Sequence, residues 1–206
     1  MARRAGGSFA SGRDRGRGGD ARAMRDRLQI AQTAARLIAE HGLTDWTLAK
    51  QKAARQLMLP ESAALPSNEE IEQALGSYHS LFAAGSHEAS LRAQREEALA
   101  WMRRLGEWEP LLVGGVAAGW ATAHSDIRLE LVADDAKAVE IALASERVRY
   151  AALPPREGDA GAELLIETPR ASLRVAVLTP AARRNRPRRP DEVRLSAAAL
   201  TALLGR

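Results

Sequence analysis

Asp126, Arg128 and Glu130 occupy alternate positions of the run Ser125-Asp126-Ile127-Arg128-Leu129-Glu130-Leu131, with apolar residues between them. A strand has a side-chain period of two, so the charged groups share one face and Ile127, Leu129 and Leu131 share the other. Acids grouped on one strand face suit metal-assisted phosphoryl or nucleotidyl transfer, in which carboxylates hold Mg²⁺ against phosphate oxygens. Arg128 complicates that chemistry. A guanidinium stays protonated and cannot become a ligand, so Arg128 is expected to pair with the acids on either side.

The elements that must position this strand are legible around it. Pro110 marks a change of pattern, and Leu111-Leu112-Val113 is a short apolar run that reads as a buried strand entering a turn at Gly114-Gly115. A short helical turn over 116–123 then leads to the charged strand. Asp134 and Asp135 cap a helix over 136–145, and strands are expected over 148–153, 163–167 and 172–178. Thr168-Pro169-Arg170-Ala171 reads as a hairpin turn between the last two. A basic, proline-broken linker over 183–189 and a closing helix over 196–204 complete this half.

The stretch from Leu111 to Leu131 resembles the signature of the nucleotidyltransferase superfamily, the DNA-polymerase-beta-like fold. There a strand ends in Gly-Gly or Gly-Ser, a short helix follows, and the next strand opens with Ser-Asp-x-Asp. The resemblance implies that Gly114 and Gly115 let the backbone approach a nucleotide's phosphates, with Ser125 and Arg128 near the nucleotide. It also implies that Asp126 is the first metal-binding carboxylate. Arg128 stands where the second Asp belongs. In one reading the site is a non-catalytic relic in which Arg128 binds a phosphate directly. In another, Glu130 joins Asp126 as catalytic group and Mg²⁺ ligand, and Glu163 or Glu167 completes the set. A third takes the face as a stabilising acid–base–acid ladder, with the glycines as a plain turn. The expected function is that of a degenerate nucleotidyltransferase-like protein that binds a nucleotide or a partner, with little or no transferase activity.

The first half of the chain reads as helix throughout. Leu28, Ala31, Ala34, Ala35, Leu37 and Ile38 form one apolar stripe ending at Gly42. Further helices are expected over 47–58, capped by Thr44 or Asp45, from the Pro66-Ser67-Asn68-Glu69-Glu70 signal to about Phe82, and over 86–107. Residues 30–58 are similar to the opening helices of tetracycline-repressor-type DNA-binding domains. Pro60 and Pro66, however, break the segment where that family carries its recognition helix. Residues 1–23 are rich in Arg and Gly and nearly lack large apolar groups, so they read as a disordered tail, with Met24 as an alternative start. Nucleic-acid contact is expected, at most, through that tail, and a helical adaptor or weak DNA-binding protein is the alternative to the nucleotide reading.

The expected fold class is therefore α+β: a helical region over 24–108, a nucleotidyltransferase-like mixed sheet with flanking helices over 109–180, and a basic linker and helix over 181–206. Among 206 residues there is no Cys, which excludes disulfides and thiolate metal sites. No apolar run is long enough to span a bilayer, so a cytoplasmic protein without membrane contact is expected. Lys and Arg number 30 against 26 acids, and only Lys50, Lys52 and Lys137 are lysines. That mild excess is read as solvated charge. None of the lysines follows a glycine, which excludes a P-loop. His41, His79, His87 and His124 show no metal-ligand spacing, Ser125 lacks a nucleophile-elbow pattern, and Trp101, Trp108 and Trp120 are expected to pack between the halves.

Overall fold

The computed structural model describes residues 14–43, 45–60, 62–82, 84–154, 161–168, 171–186 and 192–205. Four helices come first: α1 (Asp14–His41), α2 (Trp46–Gln56), α3 (Asn68–Phe82) and α4 (Ala84–Arg104). Ile30, Ala34 and Ile38 of α1 meet Ala49 and Ala53 of α2 and Ile71 and Leu75 of α3 in one core. The alanines let the three axes approach closely, and the larger side chains fill the seam. The helix ends follow the sequence signals. Asp45 accepts from the amides of Thr47 (2.8 Å) and Leu48 (3.1 Å). Ser67 and Glu70 form a reciprocal capping box: the Ser67 amide donates to Glu70 at 2.8 Å, and Glu70 donates to Ser67 Oγ at 3.2 Å. Among the described residues no helix lies between α2 and α3, as Pro60 and Pro66 require.

One expectation fails here. Helix α1 runs back to Asp14, so residues 14–23 are helical rather than tail; residues 1–13 lie outside the described residues. Arg and Ala are good helix formers, and Arg22 and Asp26 form a pair one turn apart at 3.9 Å. Gly16, Gly18 and Gly19 oppose a helix by propensity and residues 19–25 are exposed, so neither preference nor burial accounts for the start of α1.

After a single 3₁₀ turn at Gly106–Trp108 the chain enters a six-stranded mixed sheet. Its strands are β1 (Leu111–Val113), β2 (Ile127–Val132), β3 (Ala151–Leu153), β4 (Gly161–Glu167), β5 (Ser172–Leu178) and β6 (Leu195–Ser196), in the order β3-β4-β5-β2-β1-β6. Among the described residues only β2 and β5 pair in parallel. Helices α5 (Gly114–Ala118), α6 (Ala136–Ser145), α7 (Pro180–Asn185) and α8 (Ala197–Leu204) join the strands. Ile127, Leu129, Leu131, Leu164, Val175 and Val177 face a second core completed by Leu91, Leu99 and Met102 of α4, Val139 and Leu143 of α6, and Leu200 of α8. The protein is thus α+β, with helices first and a mixed sheet after them.

The chain after β5 differs from expectation. The first part of the basic linker is helix α7, started by Pro180 at its first turn and by Thr179, whose Oγ1 accepts from the Ala182 amide at 3.1 Å. Strand β6 was not expected, because two residues are too few to show a period; it exists by pairing with β1.

Candidate functional site

The sheet face turned away from the second core carries the charged residues. Alternation along β2 puts Asp126, Arg128 and Glu130 there, and the parallel register sets Arg128 beside Arg174 and Glu130 beside Ala176. Ala176 in turn pairs with Glu163 on β4, so the small alanine side chain separates two acids.

The guanidiniums that hold the acids come from outside β2. Arg174 donates through Nε to Asp126 and through Nη1 to Glu163 at 3.3 Å. Burial works against the charge on Arg174, and hydrogen bonds and charges from Asp126 and Glu163 override it, so its pKa is raised above the ordinary arginine value. Glu130 is 4% exposed. Arg186 donates to its Oε1, and Arg194 lies 3.2 Å from its Oε2. The expected ladder centred on Arg128 is therefore replaced by two pairings that reach across the fold, one from β5 and one from the C-terminal segment. Sequence could not show this, because Arg174 and Arg194 are each more than forty residues from the acid they hold.

The glycine turn is defined by its neighbours. Gly114 has φ +70°, the left-handed region that favours glycine, and a Cβ there would lie 3.4 Å from Cδ of Arg128. The stem of Arg128, an exposed residue, therefore runs along this turn. At Gly115 a Cβ would meet the Trp120 ring at 2.7 Å, so its small size is required by packing inside the protein. Trp120 also reaches the helical half, its ring centroid 5.2 Å from that of Trp46. Trp101 and Trp108 instead pack on the sheet-side core.

Helix α4 fixes the loop that leads into β2, which sequence reasoning missed. His87 Nε2 is 3.0 Å from the Gly119 carbonyl, Arg95 donates to the carbonyls of Val116 (3.0 Å) and Ala117 (3.2 Å), and Gln94 donates to that of Thr122 (2.9 Å). Burial lowers the pKa of Arg95. Ser125 Oγ accepts from the Thr122 amide at 2.9 Å, closing the turn that delivers Asp126 to the strand. The only sequence signal was polar residues on one side of an amphipathic helix, which a solvated face would also give. His79 and His87, which have no metal spacing along the chain, stack with ring centroids 3.7 Å apart.

A resident Mg²⁺ does not fit the side chains as they stand. Asp126 is held by Arg174 and Glu130 by two arginines, while Glu167 accepts from Ser172 at the far end of its strand. Among the described residues no three His, Asp or Glu side chains gather where they could hold a metal ion. Nor is any described helix long and apolar enough to cross a membrane. No family model matches the chain, and no curated protein matches it.

Proposed function

We propose that this protein is a nucleotidyltransferase-like module that has lost transfer chemistry and binds the phosphates of a nucleotide at the glycine turn beside Arg128. One observation carries the reading: both acids of the motif are already neutralised by guanidiniums, Asp126 by Arg174 and Glu130 by Arg186 and Arg194. Recruiting a divalent cation would require breaking those pairs, which is costly for partly buried charge. The order β1, glycine turn, α5, β2 supports the family likeness, and the position of Arg128 along Gly114 supports a phosphate contact.

Calorimetric titration with ATP, GTP, CTP and UTP, with and without Mg²⁺, tests this. The expected result is binding that does not depend on Mg²⁺ and that weakens about tenfold in Arg128→Ala. Absence of binding for all four would sink the nucleotide reading.

A second reading has its own support. Backbone carbonyls of the loop over 116–125 are engaged by His87, Gln94 and Arg95, and Gly115 is explained by Trp120 alone. A loop so fully used inside the fold suits a scaffold, and the protein would then be a helical adaptor. Failure to bind nucleotides favours that role.

A further inference from the structure

An open pocket of about 560 Å³ lies beyond the carboxyl ends of β2 and β5, lined by Val132, Pro180, Arg183, Arg184 and Arg186. Val132 ends β2 and Pro180 begins α7 directly after β5, so the pocket sits off the end of the parallel pair β2 and β5. Open α/β sheets commonly bind ligands outside the carboxyl ends of parallel strands. The glycine turn is elsewhere: six residues of strand separate Asp126 from Val132, roughly 20 Å at about 3.3 Å per residue.

Three arginines line one space, and their like charges favour an anion there. Among the described residues, two of them have weak or no acidic partners. Arg183 reaches Glu109 only at 3.7 Å, and that glutamate side chain is 82% exposed, so the pair is weak. Arg184 has no hydrogen bond or ion pair among the described residues. Arg186 shares Glu130 with Arg194, and Arg194 is the more buried of the two. Arg186 would turn toward a ligand only by giving up its hydrogen bond to Glu130, so Arg183 and Arg184 are the residues left to hold the anion.

We propose that this pocket is a phosphate-binding site for a small, multiply charged phosphate ligand, separate from the glycine turn. Planar guanidiniums match phosphate oxygens two at a time. A phosphate end could come from a free oligophosphate or from a nucleic-acid strand. Arg183, Arg184 and Arg186 fall within four consecutive residues, a compact cluster that suits the free ligand better than a length of strand.

The test is a calorimetric titration of the full chain with inorganic pyrophosphate, and in a second arm with a single-stranded oligonucleotide. Pyrophosphate is expected to bind, to weaken at least about tenfold in Arg183→Ala/Arg184→Ala, and to be unchanged in Arg128→Ala. Arg184→Ala alone, which removes no contact within the described fold, should weaken binding severalfold with an unaltered melting curve. Four results would overturn the proposal: no pyrophosphate binding, equal binding by the double variant, loss of binding in Arg128→Ala, or oligonucleotide binding without pyrophosphate binding. Loss in Arg128→Ala would assign the phosphate to the glycine turn, so the two sites fail separately.

Discussion

Arg174 donates to Asp126 across the parallel pairing of β2 and β5, and with another nitrogen to Glu163 on the strand beyond. One guanidinium thus joins three strands and removes from use the acid on which a metal site at this face would depend. The side chains are 28%, 24% and 17% exposed, well enough shielded for their charges to matter.

Arg174→Leu should therefore leave two carboxylates facing each other without their shared cation. A loss of about 1–3 kcal/mol is expected in urea denaturation. The same variant should gain thermal stability on adding Mg²⁺, while the wild type does not, because the freed acids can then accept a cation. A wild-type melt that rises with Mg²⁺ would show that the arginine does not block the site.

Glu130 anchors the C-terminal segment to the sheet through Arg186 and Arg194. Glu130→Ala leaves Arg186 without its acid beside a mostly buried position, while Arg194 keeps Glu192 at 3.0 Å. The expected cost is roughly 2–3 kcal/mol, below the range for fully buried pairs because Arg186 is about one third exposed. Limited proteolysis should show earlier cleavage after β5 in this variant, with Glu130→Gln intermediate.

His79 is buried and stacked on His87, and two effects hold its pKa below the usual 6.5. Desolvation is the larger and the charge of His87 the smaller; the Trp120 backbone opposes both. The folded state therefore favours neutral His79. Its contribution to stability is fully present above the unfolded value near 6.5 and is lost as pH falls through the lower folded value. Urea midpoints should drop between pH 7.5 and pH 5, and the drop should shrink in His79→Phe, which keeps a ring in the stack. An equal drop in both proteins would place the acid sensitivity elsewhere.

Gly115→Ala should drive a methyl group into the Trp120 ring, costing about 1–3 kcal/mol as overpacking does. In a Trp120→Leu background the same change should cost clearly less, and urea midpoints of the four proteins give the coupling. No coupling would mean that the glycine is there for another reason, including a ligand.

The sequence disclosed local features well and distant ones poorly, for a physical reason. Caps at Asp45 and Ser67, the alternation in β2 and the bounds of β5 depend on neighbours a few residues apart, so period and turn chemistry reveal them. The partners of Asp126 and Glu130 do not: Arg174 and Arg194 reach them only once the sheet has brought β5 beside β2 and β6 beside β1. The bonds from α4 to the loop before β2, and the stacking of His79 on His87, likewise exist only after packing. Helix α7 was hidden by composition, its arginines reading as linker although Thr179-Pro180 is a start signal. The helical extension of α1 was hidden the same way, by the glycines and arginines at its start.

With Asp126 and Glu130 held by arginines, transfer chemistry on β2 is not expected. The direct measurement incubates purified protein with α-labelled ATP, GTP, CTP and UTP and Mg²⁺ or Mn²⁺, alone and with RNA and protein acceptors, and follows covalent incorporation of label. No incorporation above background is expected, and no difference between wild type and Asp126→Ala. Metal-dependent incorporation that disappears in Asp126→Ala would contradict that expectation.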